Sequence, residues 1–125
     1  MLLRAVAAIS GLYDGVVGAL LLCAPAWLAG AFGVPAATPR IFSDLNGLFL
    51  LAVGVGYYLP WHDPVRYRGY LWVMGPLLKG AGAVTFLVDY FLRGSPRSFL
   101  LFAASDGLLA VITLYALMTS PAARR

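Results

Sequence analysis

Apolar residues fill four stretches of the chain, about 3–22, 41–59, 69–92 and 98–118, separated by short polar or proline-bearing segments. Each stretch is long enough to cross roughly 30 Å of hydrocarbon as a helix rising 1.5 Å per residue. The pattern predicts an all-α fold: an integral membrane four-helix bundle forming a single transmembrane domain over residues 1–125. Pro25 closes the first stretch. The following segment, Trp27 to Pro35, is too short to cross and too apolar for an ordinary loop. It is expected to lie at the membrane interface after the first helix, with Trp27 at headgroup depth. Pro60 closes the second stretch, where Tyr57, Tyr58 and Trp61 predict an aromatic girdle. Pro76 interrupts the third, removing one helix hydrogen bond and predicting a kink.

Each stretch also carries a strongly polar residue followed by glycine: Asp14-Gly15, Asn46-Gly47, Lys79-Gly80 and Asp106-Gly107. A charge at the centre of a membrane helix costs roughly 2.5–3.5 kcal/mol on insertion scales, so it pairs or lines a polar cavity. Projected at about 100° per residue, each stretch gathers its polar and small residues on one face. The first face holds Ser10, Gly11, Asp14, Gly15 and Gly18. The second holds Ser43, Asn46, Gly47, Leu50, Gly54 and Tyr57, with Asp44 beyond its edge. The third holds Gly75, Lys79, Gly82, Ala83 and Phe86, and the fourth Ala103, Asp106, Ala110, Thr113 and Leu117, with Gly107 next to Asp106. Small residues let helix backbones approach closely in lipid, and Gly11-x-x-x-Gly15 is the best-known spacing for it.

The four faces are therefore expected to turn inward, with Gly11, Gly15, Gly18, Gly47, Gly54, Gly75, Gly82 and Gly107 at helix contacts. Asp14, Asn46, Lys79 and Asp106, supported by Asp44, Ser10 and Tyr57, make the candidate ligand or proton site. Two aspartates and one lysine leave an excess negative charge in a low-dielectric core. One carboxylate is then expected to hold or exchange a proton, or to anchor a cationic or hydrogen-bonding ligand.

Composition sharpens the membrane reading. Hydrophobic residues make up 62% of the 125 and charged residues 11%, against about 25% charged in soluble domains. The net charge of +4 is spread over loops and ends, with no basic-aromatic stripe for nucleic acid. Arg4, Arg66, Arg68, Arg124 and Arg125 fall on the side of the termini, and Arg40, Arg93 and Arg97 on the other. That bias favours cytoplasmic termini. Trp27, Trp61, Arg66 and Arg68 are expected at the interface. Asp14 inside the first stretch argues against a cleaved signal peptide. A single cysteine, Cys23, excludes an internal disulfide or thiolate cluster, and His62 alone cannot form a metal site. No catalytic residue, metal or cofactor is assigned.

The polar-Gly pattern, Gly54-Val55-Gly56-Tyr57-Tyr58 and the connection Asp63-Pro64-Val65-Arg66-Tyr67-Arg68 resemble small bacterial membrane proteins that are DoxX-like in outline. The resemblance implies a four-helix bundle that is accessory to a membrane redox or assembly system, and no residue role is carried over. The first functional expectation is a small membrane accessory protein that binds a larger membrane partner or a hydrophobic ligand such as a lipid or quinone. A homodimeric proton-coupled transporter or channel is the second. The third is an isomerase-type enzyme using Asp14 or Asp106 as acid-base with Lys79 as charge stabiliser.

Overall fold

A computed structural model describes residues 1–121; Arg124 and Arg125 of the basic tail lie outside the described residues. The fold is all-helical, with four helices long and apolar enough to span a membrane. They are α1 (Leu2–Cys23), α3 (Ile41–His62), α4 (Arg68–Arg93) and α5 (Arg97–Thr119). A short helix, α2 (Pro25–Phe32), follows α1 where the sequence predicts an interfacial segment. It begins at Pro25, a favourable first position because a first-turn residue needs no N–H partner. It ends at Gly33, whose φ of 70° is the left-handed cap that glycine adopts without strain. Outward-facing positions carry large apolar side chains, among them Leu12, Val16, Leu45, Leu77, Val84, Leu108 and Val111, all exposed. Such a surface suits hydrocarbon, not water.

The α1–α3 pair packs most tightly, and glycine is the reason. A Cβ on Gly18 would lie 2.6 Å from the Leu51 amide nitrogen and 2.7 Å from the Gly47 carbonyl oxygen. One on Gly54 would lie 2.7 Å from the Gly15 nitrogen and 2.8 Å from the Gly11 oxygen. One on Gly47 would meet the Gly18 oxygen, and one on Gly11 the Tyr57 Cβ, both at 2.9 Å. Here backbone lies on backbone. In the α4–α5 pair, Gly75 makes room for Thr113, whose Cγ2 would sit 2.6 Å from an added Cβ. Gly107 meets Ala83 at an ordinary 3.5 Å. Gly15 differs from the expectation: its own Cβ position is open, and it serves the contact through its backbone alone.

Two prolines are absorbed in different ways. Pro60 lies inside α3, not at its end. The helix pauses at Tyr57 and resumes at Tyr58, so Pro60 falls in a first turn where its missing N–H leaves no gap. Pro76 sits within a π-helical stretch of α4, Val73–Lys79. A wider turn is one way a helix accommodates a residue that can neither donate nor tolerate the fourth carbonyl behind it. Lys79 is the last residue of that stretch.

The bundle has a solid half and a hollow half. Leu3, Val6, Ala7, Val53, Tyr57, Leu71, Ala116 and Leu117 fill a core at the end that holds the termini. Tyr70 donates to the Val53 carbonyl at 2.6 Å and packs edge-on against Tyr57, tying α4 to α3 there. Towards the opposite end, α3 touches residues 73–93 of α4 only sparsely, and a cavity opens between them.

Candidate functional site: a cavity floored by an ion triad

The cavity has a volume of about 510 Å³ and is bounded by all five helices. Its floor is ionic. Lys79 Nζ donates to Asp14 Oδ1 at 2.7 Å and lies 4.0 Å from Asp106 Oδ1. The Lys79 and Asp14 side chains are 4% and 3% exposed, whereas Asp106 keeps 17%. So α1, α4 and α5 each deliver one member near the midpoint of its length, and the π-helical stretch supplies the lysine. The Lys79 ammonium also lies 5.0 Å from the centroid of the Tyr13 ring, a favourable cation–π distance.

Tyr13 and Ser105 brace one edge of the floor. Their hydroxyl oxygens are 2.6 Å apart. Ser105 donates its own proton to the Leu101 carbonyl at 2.7 Å, which leaves Tyr13 as donor to Ser105. Asp106 has Lys79 at 4.0 Å, beyond hydrogen-bond range, and beside it the Tyr13 hydroxyl, whose proton goes to Ser105. Asn46 lines the cavity from α3, exposed and free to present either its amide oxygen or its NH₂. Beneath the triad, Ser10 Oγ, Asp14 Oδ2 and the Tyr57 hydroxyl are buried without a partner among the described residues.

The walls are apolar. Leu21, Leu28, Phe42, Phe49 and Leu50 line them on the α1–α3 side, and Leu78, Phe86, Phe99 and Phe102 on the α4–α5 side. Phe102 is stacked between Phe32 and Phe86, with centroids at 4.6 and 5.3 Å. Phe32 belongs to α2, which thereby becomes a roof and not merely an interfacial anchor. Its position is fixed by Ser98, which donates to the Phe32 carbonyl at 2.6 Å. Arg40 and Ser43 donate to the terminal carbonyls of α1, Leu22 at 3.0 Å and Leu21 at 2.9 Å, and hold the α1–α3 wall.

The other residues singled out from the sequence distribute as follows. Asp14, Asn46, Lys79 and Asp106 share the cavity, and Gly82 lines it as well, its missing Cβ 3.5 Å from Asp106 Oδ2. Ser10 and Tyr57 are buried below the floor and do not line it. Asp44 stands apart, paired with Arg40 at 3.5 Å on the surface, because the helix projection turns it away from the Asn46 face. Trp27 and Trp61 are exposed at the two ends of the bundle. Arg66 stacks on Tyr67, its guanidinium 5.5 Å from the ring centroid. Arg68 is drawn inward: it donates to the carbonyls of Leu117 and Ser120, capping α5. The orphan carbonyls of a helix end outbid a lipid headgroup for that guanidinium.

Sequence reasoning missed Tyr13, Phe32, Phe99, Phe102 and Ser105. Phe102 and Asp106, four apart on one helix face, carried a usable signal. Among the described residues no cluster of His, Cys, Asp or Glu has the makings of a metal site. No family model matches the chain, and neither does any curated protein or solved structure.

Proposed function

We propose that this small membrane protein binds a hydrophobic molecule with one polar end, of the lipid or quinone class, the polar end meeting the ion triad. The single observation that carries this reading is the cavity: about 510 Å³ of apolar wall over a charged floor. Ligand sites typically occupy about 300–1,000 Å³, mostly apolar with a few convergent polar groups. The sparse contact between α3 and residues 73–93 of α4 supports entry between them from the bilayer. A hydrophobic ligand then reaches it without crossing water. Accessory action on a larger membrane protein fits this reading, since a carrier or sensor of a membrane-soluble molecule serves another component.

A second reading is favoured by one specific contrast. Asp14 is locked to Lys79, while Asp106 faces the same cavity 4.0 Å from that lysine. Two carboxylates in unlike surroundings are the usual basis for acid-base division of labour. An isomerase-type enzyme would use Asp106 as the acid-base, and a bound molecule recovered chemically altered would mark it.

Gly82→Leu tests the binding reading. A side chain there grows into the cavity beside Asp106, with no backbone in its way. In lipid nanodiscs the variant is expected to keep its thermal stability and to bind decylubiquinone or a lysolipid at least about tenfold more weakly, about 1.4 kcal/mol. Binding equal to that of the unaltered protein would place the ligand elsewhere.

A further inference from the structure

We infer that the cavity takes a cationic, hydrogen-bond-donating amphiphile, a lipophilic primary amine in its ammonium form, in exchange for a proton on Asp106. The inference rests on the cavity reading above and narrows it to one ligand chemistry.

The first support is the unused hydrogen-bonding capacity of the floor. Lys79 is committed to Asp14 and faces the Tyr13 ring, and Tyr13 donates to Ser105. Asp106 has within reach only the Tyr13 hydroxyl, already committed to Ser105, and remains 17% exposed. What Asp106 lacks is a donor of its own. A quinone carbonyl brings only acceptors, whereas an ammonium brings three N–H groups and no acceptor.

The second support is charge. The groups facing Asp106 are Lys79 from α4, Asp14 and Tyr13 from α1, and the neutral Asn46 from α3. With both aspartates ionised, one lysine leaves a single uncompensated negative charge. A proton on Asp106 balances it; so does a ligand cation. Binding then reads as one ammonium entering and one proton leaving Asp106 to solvent, with the total charge of the site unchanged. The apolar walls above accept an alkyl or aryl tail, and the stacked Phe32, Phe102 and Phe86 close it from the far end.

Titration of the protein in phosphatidylcholine nanodiscs with dodecylammonium, dodecanol and decylubiquinone tests this. Dodecylammonium stays ionised between about pH 6 and 8, so any proton released comes from the protein. The expected result is at least about tenfold tighter binding of dodecylammonium than of dodecanol or decylubiquinone. About one proton is released per ligand at the lower pH, read with an indicator dye in weak buffer. Affinity for the ammonium rises with pH by up to about tenfold per unit where Asp106 holds its proton, while that for dodecanol stays flat. In Asp106→Asn the proton release vanishes and the preference for the cation collapses. Dodecanol or decylubiquinone binding as tightly as dodecylammonium, with no proton released, overturns the inference and leaves the cavity reading standing. Failure of all three probes to bind overturns both. The pH series on the unaltered protein decides the matter even if Asp106→Asn does not fold.

Discussion

Asp14 and Asp106 face the same ammonium, yet the fold holds them differently. Asp14 is within a short hydrogen bond of Lys79 and almost wholly buried; Asp106 is at 4.0 Å and opens to the cavity. Removing one member of a buried ion pair leaves its partner uncompensated, which costs about 3–5 kcal/mol in proteins. Asp14→Asn is therefore expected to lower the unfolding free energy of the detergent-solubilised protein by that order, and Asp106→Asn by clearly less. Unfolding titrations in a denaturing detergent measure both, and equal losses would show that the two carboxylates share one structural role. Asp14, Lys79 and Asp106 were legible in the sequence because a charge within an apolar run is a rare event. Phe32 and Phe99 were not, and Phe102 only through its spacing from Asp106. Where most positions are apolar, a phenylalanine facing a cavity has the same signature as one facing lipid.

Helix contacts carry a second, independent prediction. Gly18 and Gly15 lie on the same face of α1, but only Gly18 has backbone of α3 where a Cβ would go. Forcing a methyl group into such a contact shifts the backbone and costs typically about 1–3 kcal/mol. Against it stands the gain of about 1 kcal/mol from replacing glycine by alanine in a helix. Gly18→Ala is expected to destabilise the bundle by up to about 2 kcal/mol net. Gly15→Ala, with nothing within 4 Å of its Cβ, is expected to be neutral or slightly stabilising. Thermal melts of the two variants side by side test this, and a loss in Gly15→Ala as large as in Gly18→Ala would contradict the packing described. The small-residue face itself was readable from periodicity. Which glycine touches backbone was not, since that depends on the crossing point of two helices. The role of α2 was only half legible: hydrophobicity placed Trp27 to Pro35 at the interface. Its service as a roof follows from Phe32 meeting Phe102 and from Ser98 bonding to the Phe32 carbonyl, contacts between segments far apart in the chain.

At the scale of the whole molecule, the chain is divided lengthwise into a filled half and an emptied half, with the ion triad between them. The filled half owes its solidity to Leu3, Val6, Leu71 and Leu117 meeting across α1, α4 and α5, with Tyr57 and Tyr70 joining α3 to α4. In the other half α3 leans on α1 and leaves α4 nearly untouched, so space remains above Lys79. Four spans with an inward polar face were readable from the sequence. That the inward faces do not close along their full length was not, because no local pattern reports how far apart two non-adjacent helices stand. Photolabelling in native membranes tests the central claim most directly, using a diazirine-bearing alkyl probe and mapping the modified residues by mass spectrometry. The account predicts saturable labelling concentrated on Phe32, Phe99, Phe102 and Asp106, competed away by unlabelled ligand and lost in Gly82→Leu. Labelling spread over lipid-facing residues such as Leu12, Val84 and Val111, without saturation or competition, would contradict it.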